Sequence, residues 1–237
     1  MIRTFLAALF AWAVLFGHSV ARPYWIVDFV YLAEGRTLAE HDAYTENIAH
    51  IVGKLGIRRR ISLNRTPGLA HPGPIAPDRI VFWSLPDRAA LAAWRNDMDR
   101  VWFEDLAGHI LDGQTSRYLV RNEALTALSA GDLFLIDIVR LREDREDGAM
   151  RRYLVAVAGV AATHGLQAAA AFSDVEHMSG PFGVVDRIWL TRVADRDTLD
   201  ALLTDASFRA VEKDRRAIFS SDGSTRQLFR ADQRFEP

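Results

Sequence analysis

PDRIVFWSLPDRAALAAW occupies Pro77–Trp94, and most of its pattern returns 108 residues later as VDRIWLTRVADRDTLDAL, Val185–Leu202. Asp78-Arg79-Ile80 matches Asp186-Arg187-Ile188, Asp87 and Leu91 match Asp195 and Leu199, and Glu104 falls on Glu212. Upstream the offset becomes 109 and pairs Asp28 with Asp137, Tyr44 with Tyr153 and Gly56 with Gly165. Downstream, Arg117 and Arg121 pair with Arg226 and Arg230 at the same offset. A period this long is a whole domain, well beyond solenoid units of about 20 to 50 residues.

Periodicity changes in the same order within each copy. Trp25–Leu32 is an apolar run broken by one Asp, which reads as a strand covered on both faces. Thr37–Leu55 has helical spacing and ends at Gly56, where a C-cap belongs. Ile57–Asn64 predicts a second strand, Thr66–Pro77 a Pro/Gly-rich loop, and Arg79–Leu85 a third strand. Asp87 is an N-cap for a helix with Leu91, Trp94, Met98, Val101 and Trp102 on its apolar side, and Ser116–Arg121 closes the unit as a strand. The second copy gives strand Leu133–Leu141, helix Asp147–His164, strands Leu166–Phe172 and Arg187–Val193, helix Asp195–Phe219 and strand Thr225–Arg230. Each copy is β-α-β-β-α-β, an α+β arrangement of two tandem ferredoxin-like units spanning 22–121 and 132–237, joined by a linker at 122–131.

Residues 1–21 are set apart: Arg3 supplies a positive start, Phe5–Gly17 is apolar, and Ser19-Val20-Ala21 is a small-x-small cleavage site. This reads as a signal peptide, too short in its apolar run for the roughly 20 residues of a spanning helix. A periplasmic or secreted mature chain beginning at Arg22 is expected, with no stable membrane insertion after cleavage. The absence of cysteine excludes disulfides, thiolate nucleophiles and thiolate-ligated metals. Formal charge moves only from −2 to −3 when 1–21 are removed, so no polyanion partner is implied, and RNP-type aromatic signatures for nucleic acid are missing.

Two such units with apolar sheet faces resemble the dimeric α+β barrel superfamily, which includes antibiotic-biosynthesis monooxygenase, EthD, NIPSNAP and DUF1330-like families. The resemblance rests on element order and duplication over residues 24–231. It implies antiparallel sheets packed face to face around a ligand cavity, with the first and third strands of each unit adjacent. Closure within one chain and pairing in a homodimer are both compatible with it.

Strand alternation then nominates a site. Ile80 and Phe82, like Ile188 and Leu190, are consistently apolar and are expected to pack on the helices, leaving Arg79, Val81 and Trp83, with Arg187, Trp189 and Thr191, facing the space between the sheets. Asp28 would meet Arg79 and Asp137 would meet Arg187, with Trp83 and Trp189 beside them. The charges serve either as structural ion pairs or as a site in which an Asp acts as base and an Arg holds an anion. His71 and His177, each just before a Gly-Pro step or its equivalent in the loop between second and third strands, are candidate acids or bases at a pocket mouth. No HExxH, GxGxxG, P-loop or GxSxG motif is present, so no metal or nucleotide site is implied. Chlorite dismutase-like proteins also use two ferredoxin-like units, with a histidine holding haem iron, and His164 is the helical candidate for that alternative. The expected function is a cofactor-independent lyase, isomerase or monooxygenase acting on a small aromatic or hydrophobic molecule, with a non-catalytic binding or assembly protein as the other class.

Overall fold

Strands apolar on both faces need cover on both sides, and this chain provides it by closing one sheet on itself and laying helices outside it. The computed structural model describes residues 23–66, 75–97, 99–145 and 147–232. The element order is β1 (Tyr24–Val30), α1 (Leu38–Val52, continued by a 3-10 turn at Gly53–Leu55), β2 (Arg58–Arg65), β3 (Arg79–Leu85), α2 (Arg88–Arg95), α3 (Asp99–Ile110) and β4 (Ser116–Leu125). It continues through β5 (Leu133–Val139), α4 (Asp147–Thr163), β6 (Gln167–Ser179), β7 (Arg187–Val193), α5 (Arg196–Thr204), α6 (Ala206–Ile218) and β8 (Thr225–Ala231). The strands form a closed antiparallel barrel in the order β1-β3-β2-β8-β5-β7-β6-β4. Closure is achieved within a single chain, at a short β2–β8 seam from Leu63↔Ala231 to Arg65↔Phe229 and a long, bulged β4–β6 seam. Among the described residues no helix is long and apolar enough to cross a membrane.

An eight-stranded barrel has an interior just wide enough for side chains to fill. Here Phe29, Phe82, Phe134, Phe172 and Phe229 fill it, all fully buried, with Phe82 and Phe172 stacked at 5.1 Å. The strand faces are therefore the reverse of the sequence expectation. Ile80, Phe82, Ile188 and Leu190 point into the barrel, while Val81, Trp83 and Trp189 pack on the helix side. The barrel lumen is lined mostly by apolar side chains and offers a charge little compensation, whereas the helices bring polar side chains of their own, so the apolar sets of β3 and β7 go inside.

Three other expectations shift. The long helices after Asp87 and Asp195 each break in two, because Asp97 and Asp205 accept backbone N–H bonds at new helix starts, Asp99 N at 2.8 Å and Phe208 N at 3.0 Å. Side-chain spacing continues through such a break, so periodicity does not register it. β6 runs on to Ser179, taking up residues read as loop, because it must reach along β4 to close the barrel. β4 itself continues to Leu125, into the segment read as a linker, and pairs there with Ala170. Met98 and His71 lie outside the described residues, as does the 1–21 segment.

The repeated Asp-Arg-Ile motif has a structural use. Asp78 Oδ2 accepts Leu32 N at 3.1 Å and Asp186 Oδ2 accepts Leu141 N at 2.7 Å, each tying the chain after a central strand to its neighbour. Backbone bonds repeat the tie, Asp78 N to Val30 O and Asp186 N to Val139 O, both 2.8 Å. Gly56 ends the first helical segment at φ 76°, a left-handed conformation that glycine adopts without strain. Asp78→Ala and Asp186→Ala are each expected to lower unfolding free energy by about 1–2 kcal/mol, the worth of a charge-assisted bond at a part-buried site. Urea denaturation of the two variants checks this, and unchanged midpoints would show that the motif has another purpose.

Candidate functional site

Thr37 starts α1 with a capping box, accepting Glu40 N at 3.2 Å while Glu40 Oε2 accepts Thr37 N at 2.8 Å. From that start, helical spacing places His41, Tyr44, Thr45, Ile48 and Val52 on the face turned to the sheet. α3 presents Phe103 and Ala107 from the other side, with Leu111 just beyond its end. Between these helices and the outer face of β1, β3 and β4 lies a cavity of about 530 Å³, within the range of small-molecule sites. Ile26, Trp83 and Trp94 make it largely apolar and aromatic.

At its floor Asp28 stands opposite Arg117 across the β1–β4 ladder. Arg117 Nε donates to Asp28 Oδ1 at 2.5 Å and its second terminal nitrogen to Oδ2 at 3.2 Å, while Trp83 Nε1 donates to Oδ2 at 3.0 Å. The Asp28 charge drives the Arg117 pKa above the ordinary arginine value. Asp28 is 6 % exposed, so this pair is neutralised internally while remaining at the cavity wall.

His41, also on the wall, is 1 % exposed. Its Nδ1 lies 3.1 Å from an Arg79 nitrogen, and since arginine only donates, Nδ1 accepts and the neutral ring carries its proton on Nε2. Arg79 is held by Asn64 at 2.7 Å, Asp42 at 2.6 Å and Asp232 at 3.1 Å. Burial, reinforced by the Arg79 charge, lowers the His41 pKa from 6.5 to about 4, against the opposing pull of Asp28 and Asp42. Burial likewise pushes the Tyr44 phenol up to about 12, so it stays protonated.

The second half builds the same floor and then fills the space above it. Arg226 Nε donates to Asp137 at 2.7 Å, and its terminal nitrogens reach Glu212 at 2.7 Å and the Tyr153 hydroxyl at 3.0 Å. Arg215 adds a bond to Asp137 at 3.4 Å, Phe208 covers the Arg226 guanidinium at 5.4 Å, and Trp189 and Tyr153 pack on Phe219. The first-half counterparts of Arg215, Phe219 and Trp189, at an offset of 108, are Ala107, Leu111 and Val81. Smaller side chains at these positions leave the first half open.

Of the residues nominated from sequence, the structure brings Asp28 and Trp83 together in the cavity. Asp28 does not meet Arg79: their strands are adjacent, but Asp28 stands opposite Val81, and Arg79 is turned to Asp42 and His41. Asp137 meets Arg226 instead of Arg187, whose described bond is to the Asp186 carbonyl at 3.0 Å. Trp189 is packed in the second half's filled core. His177 is on β6, exposed, and rests on Tyr118 at 5.4 Å, away from the cavity wall. His71 lies outside the described residues. Arg117 went unnominated although its repetition at Arg226 was visible, because the fourth strand's place beside the first is a property of the closed sheet.

No protein-family model matches the chain, and no curated protein matches it. Solved structures do. An anthrone oxidase-like protein aligns over 90 % of this chain and 92 % of its own, with 13 % identity and a TM-score of 0.55. A Fusobacterium nucleatum protein assigned to the monooxygenases aligns over 91 % and 95 %, with 8 % identity and a TM-score of 0.53. A mutant chlorite dismutase from Candidatus Nitrospira defluvii aligns over 87 % and 91 %, with 10 % identity and a TM-score of 0.49. The likeness is one of fold, a closed α+β barrel.

Haem, the alternative that the sequence resemblance implies, needs a histidine free to ligate its iron at the cavity wall. A ligating histidine gains basicity by donating its second ring N–H to an acceptor. His41 does the opposite, receiving a hydrogen bond from a guanidinium. His164 faces Asp205 at 3.2 Å and is not on the cavity wall.

His41 makes a testable contribution to pH dependence. Its folded-state pKa is depressed from 6.5 to about 4, so between those values the unfolded chain binds more protons and stability falls as pH drops. The unfolding free-energy difference between wild type and His41→Gln is expected to shrink by about 3 kcal/mol from pH 7 to pH 4. Denaturant titrations of both proteins at the two pH values measure it, and a constant difference would mean that His41 is not buried neutral.

Proposed function

We propose that the chain is a cofactor-independent enzyme that binds a small aromatic molecule in the first-half cavity and removes a proton from it at Asp28. The open cavity over the Asp28–Arg117 pair carries this reading, because the same pair in the second half is walled in by Arg215, Phe208 and Phe219. An aromatic slot between Trp83, Trp94 and Phe103 suits a flat ring system by stacking and edge contact. Asp28 accepts the proton, Arg117 balances charge at the site, and the neutral His41 offers an Nε2–H donor that needs no prior protonation. If the carbanion so formed adds dissolved dioxygen, the hydroperoxide that results loses water to leave a ketone, one oxygen atom being retained and the other released as water, and the reaction is that of a monooxygenase; if the carbanion is reprotonated elsewhere, it is that of an isomerase. The anthrone oxidase-like and monooxygenase-assigned fold neighbours favour the first outcome.

Two tandem ferredoxin-like units, 22–121 and 132–237, are the proposed origin of the barrel. Support comes from the repeated element order, the strand order β4-β1-β3-β2 and β8-β5-β7-β6 in the two halves, and the paired Asp28–Arg117 and Asp137–Arg226 bridges. Export through cleavage of 1–21 is proposed on the charge and apolar pattern of that segment.

Anthrone, added to the mature chain from Arg22 while following tryptophan fluorescence and oxygen uptake, tests the activity. Binding with oxygen consumption is expected. Asp28→Asn should cut turnover at least about 100-fold, the usual scale of a lost general base, while leaving binding within a few-fold. Ala107→Arg, which copies the second-half filling, should abolish both signals with the fold intact by circular dichroism. Binding without oxygen uptake or product would identify a capture protein, and unchanged behaviour of Ala107→Arg would remove the cavity from consideration.

A further inference from the structure

The filled second half shows where an oxygen atom belongs in the open first half. Four residues correspond: Asp28, Tyr44, Glu104 and Arg117 in one, Asp137, Tyr153, Glu212 and Arg226 in the other. In the second half they form one closed network. The Tyr153 hydroxyl accepts from Arg226 at 3.0 Å and donates to Glu212 at 2.8 Å, and Glu212 also accepts from Arg226 at 2.7 Å. In the first half the same residues stand apart around the cavity. Arg117 spends Nε and one terminal nitrogen on Asp28, its other terminal nitrogen has no hydrogen-bond partner among the described residues, and Glu104 turns to Arg100 at 2.9 Å. No hydrogen bond joins Tyr44 to Arg117 among the described residues, and all four side chains line the same space.

We infer that the first-half ligand is an aromatic molecule bearing a ring hydroxyl, whose oxygen accepts from Arg117 and donates to Glu104, as the Tyr153 hydroxyl does between Arg226 and Glu212. This rests on the cavity reading above and specifies its substrate class. A phenol in that position completes the coordination that the second half achieves with its own tyrosine, and its ring extends toward Trp83 and Trp94. The ionisable wall residues Asp28, Arg100, Glu104, Asp112 and Arg117 sum to a net negative charge, which disfavours a carboxylate and suits a neutral hydroxyl.

The test uses two probes of nearly equal shape, 2-naphthol and 2-methylnaphthalene, titrated into the full mature chain with calorimetric or fluorescence detection. 2-Naphthol is expected to bind about tenfold or more tighter, the value of one charge-assisted hydrogen bond. Glu104→Gln, a change at an exposed side chain that folding tolerates, should remove about threefold or more of that preference and leave 2-methylnaphthalene binding unchanged. Arg117→Lys should remove most of it, since one ammonium does not serve Asp28 and the ligand in the same geometry. Equal affinity of the two probes overturns the inference and leaves the cavity reading standing. A naphthol preference insensitive to both substitutions overturns it as well, by placing the hydroxyl elsewhere. If neither probe binds, the cavity reading fails and the inference with it.

Discussion

Closure of the sheet within one chain is the constraint on which the rest depends. With eight strands paired all round, the sheet has no open edge, and the lumen is packed with apolar side chains, phenylalanines from both halves among them. A charge placed there would lose hydration with nothing in return. Asp28, Arg79 and Asp137 on the central strands are turned outward, under the helices, while Arg192 at the end of β7 reaches over the Phe134 ring. The site lies outside the barrel wall because the barrel itself has no room or tolerance for it.

What the helices do with that layer differs between the halves. Both carry an aspartate on the first strand bridged to an arginine on the fourth. In the second half, Arg215, Phe208 and Phe219 descend on the bridge, and Asp137, Tyr153, Glu212 and Arg226 bond to one another. In the first, Ala107 and Leu111 leave a gap and His41 with Arg79 adds a donor that the second half replaces with Met150 and an outward Arg187. The same ion pair is thus walled in by side chains in one half and borders an open cavity in the other.

Much of this was written in the chain. The order of strands and helices, apart from the breaks at Asp97 and Asp205, the caps at Asp87 and Asp195 and the helix stop at Gly56 are local or periodic features, and local sterics and hydrogen bonding settle them without reference to distant residues. Asp28 stood out for a similar reason, as a charge interrupting an apolar run, whereas Trp83 was reached through a strand-face assignment that the structure reverses. The inward or outward direction of each strand face was not legible, because strands buried on both sides alternate between two apolar sets, and composition ranks the sets without saying which neighbour each will meet.

Only the tertiary structure decided the partners. Asp28 and Arg117 are 89 residues apart in sequence and meet because β1 lies between β3 and β4, a consequence of closing the sheet. His41 is kept neutral by burial beneath the sheet, and Arg79, 38 residues away, fixes its tautomer by donating to Nδ1. The openness of one half and the filling of the other depend on summed side-chain volume across several elements, a quantity that no single stretch of sequence contains. Element identity is set by short-range physics and could be read along the chain, whereas pairing and free volume arise from long-range closure and exist only once the barrel has formed.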